Sequence, residues 1–173
     1  MNETQFGSSR EDLSARSTVF ARDLFEAKTV VVTGAGGGLG LAIAALFAKL
    51  GANLAINGRN EEKLASAKEF LESLGAKVFA MPMTIRDPEQ VEDFVAAVNQ
   101  EFGSIDVLVN NAGVAWGAKL EDFPEHGWDK VMDVNVKGLF FLTQKLMPLL
   151  RKAASADSPA RVINIASIDG MHT

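Results

Sequence analysis

Hydrophobic and polar positions along this chain follow two rhythms in turn. Short apolar runs of strand length alternate with stretches whose apolar residues are spaced three and four apart. The first run, about residues 29–33, holds Val30, Val31 and Val32 in succession and reads as a strand buried on both faces. A helical pattern follows over about 39–50 and is closed by Gly51. Residues 53–57 read as a second strand. Asn60 then caps a helix with Glu61 and Glu62 in its first turn, where acids suit the dipole. Its apolar face is Leu64, Ala67, Leu71 and Leu74, and Gly75 ends it. Residues 78–81 form a third strand. Asp87, Pro88 and Gln90 make a strong helix start, with Asp as cap, Pro first and Gln reaching back. That helix runs through Val91, Phe94, Val95 and Val98 to Gly103. A fourth strand at 105–109, a long helix from about 128 to 150 with Pro148 near its end, and a fifth strand at 161–166 complete the series.

Alternating strands and helices at this spacing predict an α/β fold with a parallel sheet and helices on both faces. The expectation is a doubly wound Rossmann fold of strand order 3-2-1-4-5. Residues 1–18 are polar and without periodicity, so they read as a flexible N-terminal extension, leaving 19–173 as one Rossmann domain. Glu3, Glu11 and Asp12 argue against a transit peptide despite Arg10 and Arg16. Phe20, Leu24 and Phe25 are expected to pack the lead-in against the domain.

Composition narrows the ligand class. A net charge of -5 without a basic run speaks against nucleic acid. The absence of cysteine removes disulfides and thiolate metal sites, and no metal is expected. No stretch approaches the roughly 18 apolar residues of a membrane span. A cytoplasmic location, no membrane partner and a small-molecule substrate are the expectations.

Between the first strand and the first helix lies Thr33-Gly34-Ala35-Gly36-Gly37-Gly38-Leu39-Gly40. A strand, a glycine turn and a helix N-terminus together offer backbone donors to a phosphate. Gly34 suits a turn needing positive φ, Gly38 lets a pyrophosphate approach the backbone, and Gly40 lets the helix lie close to the sheet. The spacing is Gly-x-x-x-Gly-x-Gly, and no Lys-Ser/Thr follows to make a Walker loop. Asn110-Asn111-Ala112-Gly113 stands at the carboxyl end of the fourth strand, the edge where such sheets bind ligands.

With Trp128-Asp129-Lys130-Val131-Met132-Asp133-Val134-Asn135-Val136-Lys137-Gly138 and Ile163-Asn164-Ile165-Ala166-Ser167, these motifs resemble the classical short-chain dehydrogenase/reductase family over roughly residues 20–173. The resemblance implies that Gly34, Gly38, Leu39 and Gly40 line the pyrophosphate. It places Asn111, Ala112 and Gly113 along the adenosine ribose and the sheet edge. Asn135 would hold a water in a proton relay, and Ser167 would polarise a substrate carbonyl. It further implies a homo-oligomeric full-length parent.

Cofactor choice is read after the second strand, where an acid selects NAD and an arginine suits a 2′-phosphate. Gly58 stands at the acid position and Arg59 follows, so NADP(H) is favoured over NAD(H). No Lys or Arg stands inside the glycine loop to help. Thr84 occupies the place of the family's adenine-contacting aspartate, with the backbone of Ile85 beside it.

The family's Tyr-x-x-x-Lys pair would fall about a dozen residues after Ser167, and the 173 residues contain no tyrosine. His172 and His126 read as surface residues, and Trp116 and Gly117 as a hydrophobic loop contact near the pocket. The expected activity is hydride transfer between a nicotinamide cofactor and a carbonyl or alcohol, carried here by a fragment. The alternative is a non-catalytic dinucleotide-binding module or truncated gene product. Ile163 and Ile165 are expected on an exposed edge strand.

Overall fold

The computed structural model describes residues 8–167. Five parallel strands, β1 (Thr29–Val32), β2 (Asn53–Gly58), β3 (Val78–Pro82), β4 (Val107–Asn110) and β5 (Arg161–Asn164), lie in the order β3-β2-β1-β4-β5. The predicted order is the observed one. Val30 is in register with Leu54 on one side and Val107 on the other, so the first strand in sequence is central in space.

The triple valine works because both sheet faces are covered. Val30 and Val32 join Leu54, Ile56, Val107 and Val109 on one face. There they meet α2 (Gly38–Lys49) and α3 (Glu61–Ser73) through Leu41, Ala44, Ala48, Leu64, Ala67 and Leu71. Val31, Ala55 and Leu108 point the other way. They pack with Phe94 and Val98 of α4 (Pro88–Phe102) and Leu142 and Leu146 of α6 (Leu139–Ala153). Period-two alternation thus survives inside continuous apolar strands.

Caps form as read. Asn60 Oδ1 accepts from the Lys63 amide at 2.7 Å. Asp87 Oδ1 accepts from the Glu89 amide at 3.0 Å and the Gln90 amide at 3.3 Å. Gln90 differs in one respect: its Nε2 bonds the Asp87 carboxylate and its Oε1 takes the Thr84 amide, tying α4 to the end of β3.

Two elements depart from the pattern. Part of the stretch read as a flexible extension is a helix, α1 (Arg10–Ala15). Ser9 and Asp12 form a reciprocal capping box there, and long-range bonds hold it down. Arg10 Nη1 donates to Ser66 Oγ at 2.9 Å, and Lys49 Nζ donates to the carbonyls of Leu13, Ser14 and Arg16. Of the lead-in aromatics, Phe25 packs edge-on against Phe47, ring centres 4.9 Å apart, whereas Phe20 and Leu24 are half exposed.

The single long helix is instead three segments. α5 (Glu125–Met132) passes into a π-helical turn at Asp133–Gly138 and then α6. The turn lies close against the residues after β3, where a Cβ on Gly138 would stand 2.7 Å from the Ile85 carbonyl oxygen. Arg86 and Asp133, paired at 2.9 Å, clamp the same contact. β5 is the exposed edge strand expected, with Val162, Ile163 and Ile165 all about 40 % accessible among the described residues.

Candidate functional site

A cleft of about 590 Å³ opens over the carboxyl ends of β1 to β4. That is the size of a small-molecule site and the edge where such sheets bind ligands. Gly34, Gly36 and Gly37 form one wall; Asn57, Gly58, Arg59, Asn60 and Lys63 form the second. Met83, Thr84 and Ile85 after β3 and Asn111 to Val114 after β4 complete it, with Val134 behind.

The glycine loop is locked from below. Gly34 adopts φ +68°, open to glycine at no steric cost, and a Cβ there would come within 3.0 Å of Ala112 Cα. Its amide donates to Asn57 Oδ1 at 3.2 Å, and the Ala35 amide to the Asn57 carbonyl at 3.0 Å. Thr33 Oγ1 accepts from the amides of both Asn111 and Ala112 at 2.9 Å. Asn111 Nδ2 returns a bond to the Thr33 carbonyl at 2.9 Å. Loop and Asn-Ala-Gly turn are therefore one hydrogen-bonded unit. Gly40 is required by that unit, since a Cβ there would stand 2.5 Å from both the Gly34 oxygen and Asn111 Nδ2.

The wall after β2 carries an unusual charge balance. It holds two cations, Arg59 and Lys63, and the whole cleft lining holds no carboxylate. Below it, Asn57 is almost wholly buried, and its Nδ2 has no hydrogen-bond partner among the described residues. A buried donor without an acceptor costs about 1–3 kcal/mol. An anionic or oxygen-rich ligand is the natural complement to such a lining.

Eight of the predicted site residues border this cleft: Gly34, Gly58, Arg59, Thr84, Ile85, Asn111, Ala112 and Gly113. Gly38, Leu39 and Gly40 lie outside its lining, in the first turn of α2. The Leu39 side chain is 58 % exposed, so what these three offer is backbone, not side chain. Their amides have no acceptor among the described residues, as the geometry of a helix start demands. Thr84 Oγ1 faces the Arg86 amide at 3.4 Å, and its own amide is taken by Gln90.

Asn135 and Ser167 do not line the cleft. Both polar atoms of the Asn135 side chain engage the backbone of Val114: Oδ1 accepts from its N–H and Nδ2 donates to its carbonyl, each at 2.9 Å. Each of these atoms keeps one further hydrogen-bonding position, which leaves room for a water on this exposed side chain. Ser167 is exposed, three residues beyond β5. Beyond Val114 along the same loop, Trp116 lies over Gly127, edge-on to His126 at 4.9 Å and with Lys130 Nζ 5.0 Å from its ring. His172 falls outside the described residues.

Comparison with known proteins fits this geometry. The family described as short chain dehydrogenase matches residues 28–173. The chain belongs to the short-chain dehydrogenase family. A rhamnolipid-biosynthesis 3-oxoacyl-[acyl-carrier-protein] reductase of Pseudomonas aeruginosa is 40 % identical over 144 residues, 83 % of this chain and 56 % of that protein. The structure of the Pseudomonas aeruginosa RhlG/NADP active-site complex superposes with a TM-score of 0.84 at 37 % identity, covering 89 % of this chain and 60 % of that one. NAD+-bound xylitol dehydrogenase gives 0.79 at 31 % identity, covering 86 % and 56 %. The chain thus spans 56–60 % of the length of these short-chain dehydrogenases.

Several residues that hold or line this short-chain dehydrogenase cleft were not among the candidate site residues, Thr33, Asn57 and Lys63 among them. Each carried a signal. Asn57 is a polar residue closing an apolar strand, Thr33 joins strand to glycine, and Lys63 stands at a helix position where acids and amides are usual.

Proposed function

We propose that this chain is the NADP(H)-binding part of an oxidoreductase that transfers a hydride between nicotinamide and a carbonyl or alcohol carbon. The observation that carries the reading is the cleft itself: a glycine loop locked to the β4 turn, facing a wall with two cations and no acid. The unpartnered Asn57 Nδ2 and the open amides of the α2 first turn fit an oxygen-rich ligand. The relative crystallised as an NADP complex supports the phosphorylated cofactor.

Bound there, the cofactor supplies the hydride. The chain's own part is to orient and bind. Backbone amides at 38–40 would meet phosphate charge, Arg59 the 2′-phosphate, and Asn111, Ala112 and Gly113 would border the ribose. Ser167 supplies a hydroxyl that donates to a substrate carbonyl.

Fluorescence titration of the 173-residue chain tests the first claim. NADPH is expected to bind more tightly than NADH; failure of both to bind overturns the proposal. Carbonyl-dependent NADPH oxidation by this chain alone is expected to be undetectable, and measurable turnover would show that no tyrosine is needed.

A further inference from the structure

Three described helices begin with a capping side chain, and their third residues differ. In α1 it is Asp12, whose carboxylate returns a bond to the Ser9 amide at 3.0 Å. In α4 it is Gln90, whose amide bonds the Asp87 carboxylate at 3.0 Å. In α3 it is Lys63, which can return no bond to Asn60 and sets a positive charge at the positive end of the helix dipole. Local helix stability does not account for a lysine there.

Its surroundings do. Lys63 lines the same cleft wall as Arg59. Gly36 of the glycine loop faces the Lys63 stem so closely that a Cβ added there would stand 3.7 Å from Lys63 Cβ. Among the described residues neither side-chain cation has a hydrogen bond or ion pair. Lys28, Lys68, Lys77 and Lys145 each pair with a carboxylate, whereas Lys119, Lys137 and Lys152, outside the cleft, are unpaired like Lys63 among the described residues. Glu61 and Glu62, on the same turn as Lys63, stay out of the lining. Independently of the helix end, Asn57 Nδ2 is a buried donor without a partner in that wall.

We propose that Lys63 is a specificity-determining residue that, with Arg59, binds the ribose 2′-phosphate and selects NADP(H) over NAD(H). A guanidinium supplies a planar fork and an ammonium a compact charge, so the pair suits a phosphate dianion. A bare ribose diol offers neither cation a charged acceptor. Lys63 thereby supplies the second cation that the glycine loop lacks. This inference rests on the dinucleotide reading above.

NADPH and NADH titrations of the 173-residue chain and its Lys63→Gln variant test it. The variant is expected to raise the NADPH Kd about tenfold, the scale of one charge-assisted hydrogen bond, with no comparable change for NADH. The salt dependence of NADPH binding should become shallower. Lys63→Glu completes the capping box, so thermal stability should hold or rise while NADPH affinity falls further. Lys68→Gln, on the same helix but paired with Glu72, should leave the cofactor ratio unchanged. An unchanged NADPH-to-NADH ratio in Lys63→Gln, with both cofactors bound, overturns the role of Lys63 and leaves the dinucleotide reading standing. Equal loss of both cofactors assigns Lys63 a structural role and also overturns it. If the unmodified chain binds neither dinucleotide, both readings fall.

Discussion

Single atoms decide whether the glycine loop keeps its shape. A methyl group at Gly40 meets the Gly34 oxygen and Asn111 Nδ2 at 2.5 Å, far inside contact distance. Gly40→Ala is therefore expected to cost about 1–3 kcal/mol in urea unfolding and to weaken dinucleotide binding. Gly37→Ala is the matched control for the unfolding measurement alone, because nothing lies within 4 Å of its added Cβ and its φ of 175° is extended, although it borders the cleft. Thr33→Val keeps the shape but leaves the Asn111 and Ala112 amides without their shared acceptor. A loss of about 2 kcal/mol or more is expected in the same measurement. The sequence showed Gly34 and Gly40 as necessary because their spacing is local. It could not show that Asn111 is what Gly40 must clear, since those two residues meet only once β1 and β4 are paired.

Among elements, the strands and the caps at Asn60 and Asp87 were legible, because each depends on a pattern within a few neighbouring residues. The short α1 was not. Six residues are too few for a periodic signal, and its docking depends on Lys49 and Ser66, far along the chain. Its Ser9–Asp12 box was readable in principle. The π turn was invisible for a different reason: the residues it meets, Ile85 and Arg86, lie about 50 positions earlier in the chain. A pH dependence belongs to this scale. Hydrogen bonds from the Ser9 side chain and backbone, with the nearby Arg16 charge, hold the Asp12 carboxyl below its ordinary value. A lowered native value means that the box contributes fully above the unfolded carboxylate's pKa and is lost as pH falls through the native one. The Ser9 amide resonance should accordingly shift at a pH below the ordinary carboxylate range; a midpoint at the ordinary value would exclude the box in solution.

At the scale of the whole molecule, β5 is the described edge of the sheet, and its apolar side chains are open to solvent. Such an edge offers unpaired backbone groups to another chain. The 173-residue chain is expected to associate in sedimentation velocity, and Ile163→Lys to reduce that association; a monomer that unfolds cooperatively would refute this. The strand order has a temporal consequence as well. β1 leaves the ribosome before the other four described strands yet lies between them in the sheet, with β2 on one flank and β4 on the other. Residues 29–82 already bring together three strands and most of the face under α2 and α3. The opposite face, with Val31 and Ala55, closes only when Phe94, Leu108, Leu142 and Leu146 arrive. During synthesis that face stays bare for the time needed to add α4, β4 and α6, which makes it the surface a chaperone would meet on the nascent chain.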